Sequence, residues 1–152
     1  MNAIEPVVRR FIEADFDDLV PRWHHTNRVS YPYSPEHQRH TLDDALAFFR
    51  DRLLVESEVW VAETPTSRTG LIAMRGPWIR QLTVFPEHQR QGIGSALLRK
   101  ARERSPQELR LFTFQRNHPA RAFYEHHGFV AIAFGLSPAP ESEPDVEYRW
   151  VA

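Results

Sequence analysis

A glycine-containing turn joins a predicted strand to a predicted helix, and it constrains the fold of this chain more than any other segment. The turn covers residues 89–95, which read Gln-Arg-Gln-Gly-Ile-Gly-Ser. The first turn of a helix presents unpaired backbone N–H groups and the positive end of the helix dipole, which together bind phosphate well. Gly92 and Gly94 carry no side chain that would keep a phosphate away from this backbone. The segment therefore predicts a pyrophosphate site.

Two common phosphate motifs are excluded by single residues. A P-loop has Lys directly after its last glycine, whereas Ser95 follows Gly94 here. A dinucleotide fingerprint would place a third glycine at the position of Leu97. Because glycines before a helix also serve plain turns, a purely structural turn is the alternative for this segment taken alone.

A second informative segment begins at Leu109, where a strand, a polar break and a helix follow one another. Apolar side chains alternate along the strand up to Phe114, and residues 115–118 are polar. Pro119 suits the first turn of a helix, and Gly128 suits its end. The chain thus repeats the order of strand, turn and helix seen around the glycine turn.

Together the two segments resemble the GNAT family of acyl-coenzyme A-dependent N-acetyltransferases. The family's loop pattern, Gln or Arg, two residues, Gly, one residue, and Gly or Ala, falls on Gln89, Gly92 and Gly94. The resemblance covers residues 58–130 best and weakens toward both ends, where acceptor recognition usually lies in this family. The family's later element, an Asn before a short helix ending in Phe-Tyr, an acidic residue and Gly-Phe, matches Asn117, Ala120, Phe123, Tyr124, Glu125, Gly128 and Phe129.

The resemblance implies a site for acetyl-coenzyme A as co-substrate. In the family, the strand before the loop splays from the next central strand, and the gap admits the pantetheine arm, whose amides pair with main-chain groups of the first strand. The implied cofactor-binding residues are Leu82, Thr83, Val84, Gln89, Arg90, Gln91, Gly92, Ile93, Gly94, Ser95, Asn117, Ala120, Phe123 and Tyr124.

Two groups are implied as catalytic by the same resemblance. The backbone N–H of Val84 would polarise the thioester carbonyl, and Tyr124 matches the family's residue beside the cofactor sulfur. Because the reference pKa of Tyr, about 10, exceeds that of a thiol, about 8.5, we expect Tyr124 to hydrogen-bond the developing thiolate, with proton transfer late. The alternatives are a packing role for Tyr124 and a helix-capping role for Asn117.

No general base is assigned by the sequence. Many relatives have a Glu on the strand before the loop, but residues 78–85 contain none. An alkyl amine is almost wholly protonated at pH 7, so a base or a desolvating pocket matters. The candidates are Glu58, Glu63, His24, His25, His37, His40 and a water chain that ends at solvent.

The acceptor site has four candidate residues, because the family places its acceptor against the loop between the first two helices and the central strands. Ordinary half-buried aromatic residues and a surface Arg are the alternative. Arg116 could instead meet a cofactor phosphate. The four candidates are Tyr31, Tyr33, Trp78 and Arg116.

Length and composition narrow the class of protein. With 152 residues, of which 41% are hydrophobic, the chain suits one compact domain, 1–152. A net charge of −1 gives no basic field for nucleic acid or an anionic membrane. Without Cys, disulfides and a cysteine nucleophile are excluded, and the His pairs lack converging ligands, so we expect no metal. No apolar run approaches the roughly 20 residues of a membrane span, and Glu5 and Pro6 do not suit a signal peptide, so we expect a cytoplasmic protein.

The order of elements predicts a mixed sheet covered by helices. The resemblance implies the rest of an α/β (α+β) fold of the GNAT type: a mostly antiparallel sheet of six or seven strands, flanked by about four helices, with splayed central strands. Residues 28–40 are predicted as a loop, and Thr41 with Asp44 as the cap of the second helix. The predicted strands are 7–12, 58–63, 70–75, 78–85, 109–114, 129–134 and 146–151, and three of the helices begin near residues 15, 41 and 93.

The resulting hypothesis is an N-acetyltransferase that moves an acetyl group from acetyl-coenzyme A to a primary amine of a small molecule or peptide by direct attack. The alternative is a non-catalytic acyl-coenzyme A-binding or regulatory module of the same fold, which the missing Glu of the central strand would indicate. The presence of Tyr124 favours the enzyme. A homodimer is compatible with both.

Overall fold

The computed structural model describes residues 6–152, and Glu5, which entered the argument about the N-terminus, lies outside them. Seven strands form one sheet in the order β1-β2-β3-β4-β5-β7-β6. Every neighbouring pair is antiparallel except β4 and β5. The predicted mixed, mostly antiparallel sheet is therefore confirmed. The strands are β1 Val7–Arg10, β2 Glu58–Thr64, β3 Ser67–Arg75, β4 Trp78–Val84, β5 Glu108–Phe114, β6 Val130–Leu136 and β7 Pro144–Val151.

Helices cover both faces of this sheet, and each face has its own core. On one face, Phe49 and Leu19 pack with other apolar residues of the N-terminal helices against the sheet. On the other face, Leu97 and Leu98 belong to a second core that includes residues of β3, β4 and β5. The sheet is thus the middle of three layers. The helices are α1 Phe16–Ser30, α2 Pro35–Arg39, α3 Leu42–Phe48 with a π-helical turn Phe49–Leu53 and a short last turn α4 Leu54–Glu56, α5 Ile93–Arg104 and α6 His118–His126.

The two central strands separate soon after they begin. Only Trp78 and Arg110 form a residue pair between β4 and β5, while β4 stays paired with β3 as far as Val84. Strand β5 turns its other edge to β7, which it pairs with along its whole length. The predicted splay of the central strands is confirmed, and it opens a gap in the middle of the sheet.

The largest error in the predicted elements is in segment 28–40. It was expected to be a loop, but α1 continues to Ser30 and the segment contains the short helix α2. Ser34 caps α2 by accepting the backbone N–H of His37, and Pro35 occupies the first turn. Ser followed by Pro is a common start of a helix, so these two residues indicate α2 in the sequence.

Other boundaries agree more closely. Thr41 and Asp44 form the expected reciprocal capping box at α3. The hairpin between β2 and β3 is tighter than expected, since only residues 65–66 separate the strands. Within residues 6–152, no helix is long and apolar enough to cross a bilayer.

One buried carboxylate fastens the first strand to the rest of the fold. Asp15 is fully buried and accepts hydrogen bonds from Arg9 at 2.8 Å, Arg68 at 2.7 Å and the N–H of Ile12. Burial disfavours its charge, but these hydrogen bonds outweigh burial and hold the pKa of Asp15 well below its usual range. The charged form therefore stabilises the fold.

Candidate active site

The glycine turn forms a small cavity at the start of α5, which we call the loop cavity. Gly92 precedes the helix with φ +82°, and Arg90 also has a left-handed backbone, with φ +63°. These two positions bend the chain so that the first N–H groups of α5 face the opening. The cavity, of about 350 Å³, is lined by Val84, Gln89, Arg90, Gly92, Ile93, Gly94, Ser95, Phe123, His126 and His127.

The two glycines of this turn serve different purposes. A Cβ atom built on Gly92 would meet nothing within 4 Å, so glycine is needed there for the positive φ. A Cβ on Gly94 would lie 3.0 Å from the ring of Phe123. The expectation that both glycines clear space for phosphate is therefore corrected at Gly94, where the space is taken by a side chain of α6.

Of the loop residues implied as cofactor-binding, Gln91 alone does not line the loop cavity. It is exposed, and its side chain is directed toward the carbonyl of Glu87. Two histidines that the sequence had not indicated do line the cavity. His127 Nε2 lies 3.2 Å from Ser95 Oγ, which ties the end of α6 to the start of α5.

The free edge of β4 carries the backbone groups that point into the gap. Phe85 donates its N–H to Thr69 of β3 at 3.0 Å. Because successive residues of a strand direct their backbone groups to opposite sides, the N–H of Val84 points away from β3, toward the gap. The side chain of Gln89 donates to the Val84 carbonyl at 3.1 Å and so fixes the loop against this edge. Thr83, between Leu82 and Val84, is buried.

A larger cavity of about 600 Å³ occupies the gap itself, and we call it the central cavity. It runs from Leu82 on β4 and Ala120 on α6 to the segment between β6 and β7. Its other lining residues are Tyr31, Ile79, Arg80, Gln81, Leu111, Phe112, Thr113, Phe114, Asn117, Tyr124, Ala133, Phe134, Gly135, Leu136, Ser137, Pro138, Glu141, Asp145 and Glu147.

Tyr124 lies on α6 next to Phe123, so that adjacent residues line the two cavities. Tyr124 is 7% exposed, and its ring packs against the rings of Phe123, Phe129 and Tyr148. Burial raises the pKa of Tyr124, with the Tyr31 hydroxyl a second cause. The hydroxyl of Tyr124 therefore stays protonated at neutral pH and can donate a hydrogen bond.

Asn117 combines a capping position with a place in the central cavity. Its Oδ1 accepts the N–H of Ala120 at 3.3 Å and caps α6. The residue also lines the central cavity. The capping role that was the alternative for Asn117 is thus present alongside its exposure to the gap.

The four acceptor candidates are not all brought together. Tyr31 lines the central cavity, whereas Tyr33, Trp78 and Arg116 do not. Trp78 stacks on Phe112 with ring centroids 5.4 Å apart. Arg116 lies over the ring of Tyr33 and pairs with Glu143 at 3.5 Å.

Most of the candidate bases lie outside the central cavity. Glu58 is bound by Arg104, which lowers the pKa of Glu58, and Glu63 is bound in the same way by Arg9. His37 does not line the cavity, but its ring packs 5.6 Å from that of Phe114, which does. Neither His24, His25 nor His40 lines the cavity.

Sequence reasoning missed the acidic wall of the central cavity. Glu141, Asp145 and Glu147 line it, and they come from the connection before β7 and from β7 itself. The sequence shows an acidic residue at each alternate position from 141 to 147, which was the available signal. Arg110 neutralises Glu147. Across residues 6–152, neither Glu141 nor Asp145 has an ion pair with Arg or Lys.

Burial raises the pKa of both unpaired carboxyl groups, Glu141 and Asp145. The charges of neighbouring acidic groups also raise the pKa values of Glu141 and Asp145. No group of three or more His, Asp or Glu side chains arranged for a metal ion is found in the described part of the chain.

Comparisons with known proteins match this geometry. The model of the acetyltransferase (GNAT) domain family matches residues 55–131. The chain is 34% identical over 90 residues to peptidyl-lysine N-acetyltransferase YiaC of Escherichia coli (strain K12). This match covers 59% of this chain and 61%, less than two thirds, of YiaC. It is 31% identical over 134 residues to the uncharacterized N-acetyltransferase YafP of the same strain, with 87% and 85% covered. The solution structure of apo-form YjaB from Escherichia coli has a TM-score of 0.81 at 20% identity, covers 98% of this chain and 99% of that one, and shows the shared fold.

Proposed function

Because the chain belongs to the GNAT family of acetyltransferases, we propose that it transfers an acetyl group from acetyl-coenzyme A to a primary amine of a small molecule or peptide. The observation that carries this proposal is the meeting of two cavities at adjacent residues, Phe123 and Tyr124, beside the splayed strands. One cavity presents backbone donors, and the other presents carboxylates and aromatic rings.

The residues of the loop cavity suit the pyrophosphate of coenzyme A. The start of α5 is open and carries the positive end of a helix of 12 residues. Arg90 adds an exposed positive charge. Gln89, Ile93, Gly94 and Ser95 would form the walls, and the free edge of β4 would pair with the pantetheine amides at Leu82 and Val84. Thr83, which was also expected to pair with them, directs its backbone groups to Leu71 of β3 instead. Ala120 and Phe123 would pack against the arm.

Acetyl-coenzyme A supplies an acetyl group activated as a thioester. In our proposal, the N–H of Val84 stabilises the negative charge that develops on the carbonyl oxygen. Tyr124 donates a hydrogen bond to the departing sulfur. Full proton transfer from Tyr to a free thiolate is uphill by about 2 kcal/mol at reference pKa values. Burial of Tyr124 increases this difference, which favours the hydrogen-bonding role.

The acceptor would occupy the end of the central cavity near Tyr31, Glu141 and Asp145. Two unpaired carboxylates attract a cation, and an amine arrives largely as an ammonium ion at pH 7. YiaC is named a peptidyl-lysine N-acetyltransferase, which supports a lysine side chain or a similar alkyl amine as the acceptor.

A panel of amines tests the proposal. Acetyl-coenzyme A is incubated with the protein and each amine, free thiol is measured, and the acetylated product is identified by mass spectrometry. We expect thiol release that depends on the amine, with one acetylated product per thiol. Binding of acetyl-coenzyme A without amine-dependent release would instead favour the non-catalytic module.

We also propose a homodimer that forms through the edge strand β6. Val130 and Ile132 project from this strand and are exposed. A second copy would cover these side chains and pair with the free edge. Light scattering coupled to size exclusion should give a mass of two chains, and a mass of one chain would refute the dimer.

A further inference from the structure

The general base of the proposed reaction has no place on β4, because residues 78–84 contain no carboxylate. The central cavity contains two carboxylates without an Arg or Lys partner across residues 6–152, Glu141 and Asp145. Asp145 is more than nine-tenths buried, and no His, Arg or Lys forms an ion pair with it within residues 6–152. Glu141 differs, because a histidine lies beside it.

His37 faces Glu141 from α2, with His37 Nε2 3.8 Å from Glu141 Oε2. The other ring nitrogen, Nδ1, shares a hydrogen bond with Ser34 Oγ at 2.8 Å, and Ser34 is buried. The ring also packs on Tyr31 with centroids 4.6 Å apart. These contacts fix the orientation of the imidazole. The His37 side chain is 18% exposed and the Glu141 side chain 30% exposed, so His37 offers one route from Glu141 to solvent.

Resting on the proposed function, we propose that Glu141 is the general base that accepts the proton of the acceptor ammonium group, and that His37 is a positioning residue that passes this proton to solvent. Glu141, Tyr31 and Tyr124 all line the central cavity. The base is thus on the acceptor side of the gap, and the sulfur contact on the donor side.

The atoms and charges of the step balance. The ammonium nitrogen gives one proton to the Glu141 carboxylate, and its lone pair attacks the thioester carbonyl carbon. A C–N bond forms, the C–S bond breaks, and the electron pair leaves with sulfur. The nitrogen then loses its second proton to the thiolate, directly or through water beside Tyr124. The proton on Glu141 leaves through His37.

The charged surroundings suit this role. Burial raises the pKa of Glu141, and a raised pKa makes the carboxylate a stronger base. Burial lowers the pKa of His37, so the imidazole is neutral near pH 7 and can accept a proton. Groups that face Glu141 from the packed elements are Tyr31, Glu36, His37, Ser137, Glu143 and Asp145.

The test is the pH dependence of kcat/KM with an amine that the wild-type protein acetylates. We expect the wild-type profile to fall on its acidic side through the pKa of Glu141. In Glu141→Gln, kcat/KM should be about 100-fold lower at neutral pH. It should then rise steadily with pH toward the acceptor pKa of about 10.4. Glu141→Asp should restore part of the loss. Glu108→Gln is the control, since Glu108 lines neither cavity and pairs with Arg149, and it should keep the wild-type profile.

A second measurement does not depend on activity. Removal of the Glu141 charge should lower the pKa of His37 in Glu141→Gln, measured from its ring proton by NMR. A wild-type pH profile in Glu141→Gln, or an unchanged His37 pKa, would overturn the assignment while acetyl transfer stands. If no amine is acetylated by the wild-type protein, the proposed function fails, and the base assignment fails with it.

Discussion

The two cavities beside the splayed strands are lined by different kinds of groups. The loop cavity is formed mainly by one continuous run of backbone, from Val84 to Ser95, together with the end of α6. The acceptor end of the central cavity is formed by side chains from distant parts of the chain, such as Tyr31 and Glu141. The backbone of the loop cavity suits a ligand that is always the same. Side chains at the acceptor end of the central cavity can be substituted, and the specificity changed, without a change in the loop cavity.

The comparison predicts that changes should affect one cavity at a time, except where the two meet. The largest effect is expected there. If Tyr124 contacts the departing sulfur, Tyr124→Phe should lower kcat about 100-fold and leave the Kd for coenzyme A nearly unchanged. Steady-state kinetics and calorimetry measure the two quantities. Tyr148→Phe is the control, because the Tyr148 hydroxyl is engaged by Glu125 and Arg121. Equal kcat in Tyr124→Phe and the wild-type protein would refute the contact.

A change confined to the loop cavity should affect the donor alone. Arg90→Glu places a negative charge beside the proposed pyrophosphate site, and the Kd for coenzyme A should rise about tenfold. Arg99 is exposed farther along α5 and does not line the cavity. Arg99→Glu should therefore leave Kd unchanged in the same calorimetric titration. Equal Kd values for the two variants would show that the phosphate does not bind in this cavity.

A change confined to the acidic wall should affect the acceptor alone. Asp145→Asn should raise KM for a cationic amine about fivefold, with no change for acetyl-coenzyme A. Because the pKa of Asp145 is raised, its negative charge is present above that pKa and lost below it. The difference in KM should therefore shrink as the pH falls. A fivefold difference that persists at acid pH would contradict an electrostatic role.

The smallest effect on turnover is expected from a change outside both cavities. Asp15→Asn removes the charge held by Arg9 and Arg68, whose side chains are partly exposed, and should lower the unfolding free energy by about 2 to 3 kcal/mol. Since the folded pKa of Asp15 is depressed, its contribution is present above the unfolded pKa and is lost as pH falls toward the folded pKa. Denaturant titrations of both proteins should converge at low pH. A lower kcat per folded molecule would show that the cavities depend on this anchor.

The parts of the molecule that were predictable are those specified by neighbouring residues. The turn at 89–95 and the helix that begins after Asn117 combine glycine, proline and capping signals within a few positions, so their local structure follows from the sequence. The mixed sheet followed from the order of the elements, and the splay followed from the family resemblance. Local signals also indicated α2, through Ser34 and Pro35, although they were not used.

The acceptor wall could not be predicted in the same way. Strand β7 inserts between β5 and β6, and this long-range pairing places the preceding segment beside the gap. Nothing near Glu141 in the sequence indicates that His37 will lie opposite it. The role of Gly94 was hidden for the same reason, because the ring that needs its space belongs to Phe123 on another helix.

The central claim is that the two cavities are the donor and acceptor halves of one continuous site. The most direct test is the Kd of a bisubstrate analogue, in which coenzyme A is joined through an acetyl-length thioether bridge to a cationic amine. If the cavities are continuous at Tyr124, the analogue should bind at least about tenfold more tightly than coenzyme A, because the second contact becomes intramolecular. An analogue that binds no more tightly than coenzyme A would contradict the claim.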